Sequence, residues 1–144
     1  MKAKDFLSQY EDQKIIIKSC WEEIEMWKDI ALSVTGRTDG ERVQSSGSKQ
    51  KMADAIDTYS DIERDIKQRI EEAKRIQDKI VRTIAQLKKY EYTVLHGVYI
   101  MGKQYKEIAA SEGKSVSWAT SMHGVALENL QAILDAENEK CKKV

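Results

Sequence analysis

The chain of 144 residues has no proline, one phenylalanine and two cysteines. Without proline, nothing in the sequence imposes the fixed φ and missing N–H that interrupt long helices. The 33% of charged residues beside 41% of hydrophobic ones favours long, solvated helices over a compact mixed fold. Cys20 and Cys141 lie far apart and are too few for a disulfide scaffold, so we expect a reduced, intracellular protein.

Neither sign of charge is in excess, and long apolar runs are missing. Lys and Arg number 24, as do Asp and Glu, which argues against a protein that coats nucleic acid through net charge alone. No run approaches the ~18 consecutive apolar residues of a membrane span. The opening MKAKDFLSQYEDQ lacks the apolar segment of a signal peptide. We therefore expect a cytoplasmic protein with no membrane partner.

Motifs of catalysis and of metal binding are missing as well. The sequence contains no glycine-rich phosphate loop and no nucleophile motif, and His96 has no acidic or cysteine partner at metal-ligand spacing. The carboxylates are scattered over helical positions where solvent is the default neighbour. His123 falls on a buried helix face and is expected to be a hydrogen-bonded core residue. The sequence predicts no enzyme, no catalytic residue, no metal and no cofactor.

A first helix is predicted over residues 3–34, followed by a polar loop over residues 35–50 that contains three glycines. Apolar side chains at steps of three and four mark one face of this helix. Four further apolar residues widen that face, which indicates more than one neighbour. The face consists of Phe6, Tyr10, Ile17, Cys20, Ile24, Trp27, Ala31 and Val34, and the additional residues are Ile15, Ile16, Trp21 and Met26.

A second helix is predicted over residues 49–88 because apolar residues recur every seven positions, which is typical of coiled coils. The first helix can cover part of this stripe as an antiparallel hairpin, and the remainder is left for another chain. Acidic residues dominate 54–65 and basic residues 67–89. This gradient fits an antiparallel homodimer, or a solvated face with local ion pairs such as Glu71–Arg75. The seven-residue repeat runs through Met52, Tyr59, Ile66, Ala73, Ile80 and Leu87.

Residues 89–144 are predicted to form a second domain of three helices. The stretch 90–101 forms a short helix that ends at Gly102, and residues 105–110 open the next one. Gly113 supplies a residue that tolerates positive φ, and Ser115 can cap the final helix. The small residues Ala109 and Ala119 allow these two helices to cross closely. This layout is typical of a helix-turn-helix, whose second helix enters a DNA groove.

These residues resemble region 4 of sigma-70-type factors. The shared pattern is Tyr105-x-Glu107-Ile108-Ala109, then Gly113-x-Ser115, and an alanine-leucine run that ends at Leu130. The wider sequence is similar to small phage and prophage proteins of Gram-positive bacteria related to the ArpU and RinA groups of late-gene regulators. The resemblance implies an all-α fold: a long antiparallel, coiled-coil-like hairpin over 1–88 and a helix-turn-helix module over 89–144. It also implies a DNA-binding transcription regulator.

The predicted recognition helix departs from the sigma pattern because it carries few basic residues. Residues 103–127 hold three basic against two acidic side chains, so a single module has little phosphate attraction. The predicted DNA-binding residues are Ser117, Trp118, Thr120 and Ser121 on the groove-facing side and Lys103, Lys106 and Lys114 at the entry and turn, with possible phosphate contacts from Arg75, Lys79 and Arg82. In the alternative interpretation, Trp118, Met122 and Val125 form an apolar stripe for a protein partner.

The expected partners are double-stranded DNA and host RNA polymerase. A homodimer is also expected, because two copies would compensate for the small positive charge of one module. Two other functions remain open at this point. A helix-turn-helix with oligomerising helices is also typical of small terminase subunits, which load DNA-packaging motors. A protein-interaction module without DNA binding is the third interpretation.

Overall fold

A computed structural model describes the backbone of residues 1–36 and 46–142, and the side chains of residues 1–33 and 53–142. The chain is all-α, as predicted, and no strand occurs in these ranges. The helices are α1 (Ala3–Gly36), α2 (Ser46–Ile84), α3 (Lys89–Leu95), α4 (Tyr105–Ser111) and α5 (Val116–Lys142), and a π-helical segment, His96–Ile100, continues α3.

The two long helices extend into the predicted loop region over 35–50 from both sides. Helix α1 continues to Gly36 and α2 already begins at Ser46, while residues 37–45 of the predicted loop lie outside the described ranges. At its other end α2 stops at Ile84 rather than at Lys88. The reason is local: Lys88 is extended, with φ −64° and ψ 159°, and its N–H is capped by the Glu91 carboxylate at the start of α3.

The chain divides into two compact units, and the domain boundary at residue 88 stays a prediction. Unit 1 comprises Met1–Lys14 and Arg75–Val144, and unit 2 comprises Ile15–Lys74. Apolar residues at the start of α1 and the end of α2 belong to the same core as the C-terminal helices. Periodicity along one helix does not reveal which distant helix will cover it.

Unit 1 is built around a core to which α1, α2, α3 and α5 all contribute. Leu7, Ile80, Ile84, Leu95 and Leu130 are fully buried there. The start of α1 is also bound to α5 through one side chain of α5. The Ala3 N–H donates to Gln131 Oε1 at 2.7 Å, and Gln131 Nε2 donates to the Met1 carbonyl at 3.1 Å. This amide satisfies backbone groups at a helix end that lack partners within the helix.

Unit 2 consists of residues 15–36 of α1 and 46–74 of α2. Cys20 and Ile24 of α1 pack with Ile66 and Ile70 of α2. An ion pair between Glu23 and Arg69, 3.6 Å apart, links the two segments in the same region. The buried positions agree with the predicted apolar faces of both helices.

Candidate nucleic-acid interface

The turn between α4 and α5 has the geometry that the sequence predicts. Gly113 has a φ of +65°, which costs a glycine no steric strain. The Lys114 N–H donates to the Ala109 carbonyl at 2.8 Å, and the Gly113 N–H donates to the Ala110 carbonyl at 3.3 Å. These two bonds constitute a Schellman motif, which ends α4 and satisfies its last carbonyl groups.

Helix α5 begins directly after this turn with the predicted serine cap. The Ser115 hydroxyl oxygen accepts a hydrogen bond from the Trp118 N–H at 3.1 Å. Ala109 of α4 and Ala119 of α5 are both buried, and the two helices are in contact. Because both side chains are single methyl groups, they leave room for the two helices to approach closely.

The outward face of these first turns carries small polar side chains. Ser117, Thr120 and Ser121, which the sequence predicts to face a DNA groove, are exposed. The Thr120 hydroxyl donates to the Ser117 carbonyl at 3.0 Å, which leaves its oxygen available as an acceptor. Gly124 continues the same face, and a Cβ there would meet no atom within 4 Å. The face is therefore low and open, and its hydroxyl groups can donate and accept hydrogen bonds.

The predicted phosphate-binding lysines Lys103, Lys106 and Lys114 are all exposed. Lys103 follows Gly102, whose φ is +65°, and the Lys103 N–H donates to the Gly97 carbonyl at 2.8 Å. This bond fixes the backbone at the entry to α4. The three lysines lie at the entry to α4, on α4 and at the turn.

Trp118 does not stand freely on the outward face. It is half-buried, and its ring packs edge to face on Tyr90 of α3, with ring centroids 5.5 Å apart and an interplanar angle of 88°. Met122 is also half-buried, whereas 46% of Val125 is exposed. Part of the predicted apolar stripe is therefore used within the protomer, between α5 and α3. Sequence reasoning missed Tyr90 in this role because no local spacing relates residues 90 and 118.

Below the outward face, His123 lies in an aromatic cluster. Its Nε2 and the Tyr99 hydroxyl share a hydrogen bond of 2.9 Å, the two rings are stacked, and the Tyr105 ring meets His123 edge-on with centroids 5.5 Å apart. Burial, and secondarily the positive charge of Lys4, lowers the pKa of His123 below its ordinary value. The expected hydrogen-bonded histidine is confirmed, although it is half-buried rather than fully enclosed.

The candidate phosphate contacts on α2 lie in a surface of mixed charge. Arg75, Lys79 and Arg82 are exposed and line a shallow groove of unit 1 together with Asp78 and Glu137. Arg82 Nε is 2.9 Å from Asp78 Oδ2. These carboxylates reduce the attraction of the groove for phosphate, and the α4–α5 region is the better candidate for a nucleic-acid contact.

Searches with the whole chain give no relative from which a function can be transferred. No model of a known protein family, no curated protein and no solved structure matches it. Over residues 1–36 and 46–142, none of the helices combines the length and apolar character needed to cross a membrane. In the same ranges no three His, Cys, Asp or Glu side chains are grouped so that they can hold a metal ion.

Proposed function

We propose that this chain is a phage or prophage DNA-binding transcription regulator that contacts double-stranded DNA through α4, the following turn and the start of α5. The observation that carries the proposal is the low polar face formed by Ser117, Thr120 and Ser121 next to the open position of Gly124. The phage context rests on the resemblance to small sigma region 4-like regulators.

The physical basis is the fit between a helix with small side chains and a DNA groove. The major groove is ~12 Å wide and admits one α-helix, and serine and threonine hydroxyls can bond to base edges or to phosphates. Bulky side chains on the outward face would keep the helix backbone away from the bases. Ser117, Ser121 and Gly124 avoid this obstacle.

A single helix-turn-helix module is expected to have a low affinity for DNA. Lys103, Lys106 and Lys114 are accompanied by Glu107 and Glu112, so α4 and its flanks offer little net positive charge. Because counterion release from phosphates supplies much of DNA affinity, one copy should bind weakly. Two linked copies, or a chain held by RNA polymerase at a promoter, would raise the effective concentration of the second contact. A homodimer and host RNA polymerase are therefore part of the proposal.

The test begins with selection of binding sequences from a random pool of duplex DNA, since the target is unknown. The best duplex is then titrated with the full chain and with Ser121→Glu, which places a carboxylate against the phosphates. Ser19→Glu is the matched control, because Ser19 is an exposed helical serine in unit 2. We expect at least a tenfold loss of affinity for Ser121→Glu and none for Ser19→Glu. Equal affinity in all three chains contradicts the proposal.

The alternative function, a small terminase-like packaging subunit or another oligomeric interaction module, is favoured by one feature of unit 2. Large apolar side chains on α1 remain substantially exposed: Ile15 57%, Ile16 43%, Trp21 47% and Met26 48%. Such a surface is typical of protein contacts. Light scattering distinguishes the two functions, because a regulator should give a dimer and a packaging subunit a ring of many copies.

A further inference from the structure

Two lysines and two aromatic rings from separate parts of the sequence converge beside the start of α5. The ring of Tyr90, in the first turn of α3, packs on Trp118 of α5. The ammonium of Lys89 lies 5.4 Å from the centroid of the Tyr90 ring, and that of Lys114, in the α4–α5 turn, lies 6.0 Å from the same centroid. One tyrosine ring therefore brings together two cations that are 25 positions apart in sequence.

The position of this lysine–aromatic cluster is fixed by a buried polar contact between α3 and α5. Glu91 is buried, and its two carboxylate oxygens accept hydrogen bonds from the Lys88 N–H and from the side-chain amide of Asn129. A buried carboxylate that accepts such bonds is costly to displace. The first turn of α3, and with it Lys89 and Tyr90, is thus held at a defined place along α5.

The electrostatics of the lysine–aromatic cluster favour an anion. Both ammonium groups lie within about 6 Å of the centre of one ring, whose electron-rich face attracts cations. None of the ion pairs found within the described part of the chain involves Lys89 or Lys114. Phosphates of a duplex backbone that approach these two lysines would each gain a charge-assisted hydrogen bond.

We propose that Lys89 and Lys114, positioned by the Tyr90–Trp118 ring pair, bind the phosphodiester backbone of the duplex whose groove α5 enters. This inference rests on the proposed function and deepens it, because it adds the first turn of α3 to the DNA-binding surface. It also assigns Trp118 a positioning role: the ring supports Tyr90, which in turn supports the two lysines. The ligand is the backbone of double-stranded DNA, independent of base sequence.

The measurement is the salt dependence of affinity for the selected duplex, made with Lys89→Gln/Lys114→Gln. Each phosphate contact contributes ~0.9 to the slope of log affinity against log salt, so the loss of two should lower the slope by ~1.8. The ratio of wild-type to variant affinity should therefore shrink about tenfold between 50 and 200 mM salt. Lys18→Gln/Lys28→Gln removes the same charge from exposed positions in unit 2 and should leave the slope unchanged.

A charge-preserving variant separates folding from binding. Lys89→Arg/Lys114→Arg keeps both the charge and the ring contact, so its slope should equal that of the wild type. Circular dichroism shows whether each variant remains helical. If the glutamine variant is unfolded, Tyr90→Leu replaces it, and a lowered slope is expected because the lysines lose their support.

The outcomes distinguish this inference from the proposed function. If Ser121→Glu abolishes binding while the glutamine variant keeps the wild-type slope, the phosphate site is wrong and the proposed function stands. If the wild-type chain binds no duplex from the pool, both are wrong. A duplex RNA of the selected sequence tests the source of the phosphate: binding equal to that of DNA would overturn the assignment to a DNA groove.

Discussion

The two compact units use the same long helices but differ in how many neighbours those helices have. In unit 1 the ends of α1 and α2 meet α3 and α5, and residues such as Leu7, Leu95 and Leu130 are fully buried. In unit 2 the buried cluster is formed by Cys20 and Ile24 of α1 with Ile66 and Ile70 of α2. When a helix has only one neighbouring helix, it can bury apolar side chains along only one side of its surface.

This difference indicates where the stability of the chain lies. Unit 2 leaves large apolar side chains exposed, including 44% of Ile30 and 50% of Ile56. Among the side chains that the structure describes, the buried Trp27 Nε1 has no hydrogen-bond partner, and such a group typically costs ~1–3 kcal/mol. We expect unit 2 to open at a lower free energy than unit 1. The exposed apolar side chains of unit 2 are of the kind that contact another protein.

The largest expected effect comes from a matched pair of core substitutions on α2. Ile80 in unit 1 and Ile66 in unit 2 are both 0% exposed, so the two changes remove the same atoms from the same helix. We expect Ile80→Ala to lower the free energy of unfolding by ~4 kcal/mol and Ile66→Ala to lower it by ~2 kcal/mol. The smaller loss at Ile66 is expected because a site between two helices can collapse around the cavity more easily. Urea unfolding measures both. Equal costs would contradict the difference between the units.

A second prediction concerns the close packing of the C-terminal module. A Cβ added at Gly97 would lie 2.7 Å from Ile108 Cδ1, so Gly97→Ala should destabilise by ~1–3 kcal/mol through overpacking. Ile108→Ala removes both close atoms, Cδ1 and also Cγ1, which would lie 2.9 Å from the added Cβ. In the double variant the loss of unfolding free energy caused by Gly97→Ala should be at most half of its value in the wild-type background. A double-mutant cycle measures this difference. Strictly additive costs would mean that Gly97 is not in contact with Ile108.

The pH dependence of stability should report on the His123 cluster. Since burial lowers the pKa of His123 in the folded chain, the unfolded chain binds a proton at higher pH than the folded one. The stability contribution of His123 is therefore fully present above the pKa of ~6.5 that the imidazole has in the unfolded chain. It is lost as the pH falls from there through the lower pKa of the folded chain. His123→Phe should flatten this part of the stability curve, measured by urea unfolding between pH 7.5 and 5. An unchanged curve would assign the dependence to other groups.

The smallest effect on the folded protomer is expected on the exposed face of α1. Met26→Gln should change stability by no more than ~0.5 kcal/mol, because the side chain is 48% exposed. Its effect should instead appear in self-association, as a shift toward monomer in light scattering. The exposed Lys18→Gln on the same helix is the control. If both variants associate like the wild type, this face does not carry the expected dimer contact.

Local features of the fold and site were accessible from the sequence. The seven-residue repeat predicted the burial of Ile66, Ala73 and Ile80, and the glycine and serine signals predicted the turn at Gly113 and the cap at Ser115. Each of these depends on residues within a few turns of one another, so the pattern itself contains the information.

Long-range features were not accessible. The contact of Gln131 with the start of α1 joins residues 128 positions apart, and Tyr90 reaches Trp118 only because α3 packs on α5. The end of α2 was also misplaced, since apolar Leu87 continues the repeat although the backbone has already left the helix. There the Glu91 cap on Lys88 prevails over periodicity.

The most direct test of the account is lysine acetylation of the full chain, with and without the selected duplex, followed by mass spectrometry of each site. Bound DNA should slow the modification of Lys89, Lys103, Lys106 and Lys114, while Lys18 and Lys28 of unit 2 should react at unchanged rates. Protection confined to unit 2, or equal rates at every lysine under conditions where the duplex is bound, would contradict a DNA contact through α4, the turn and α5.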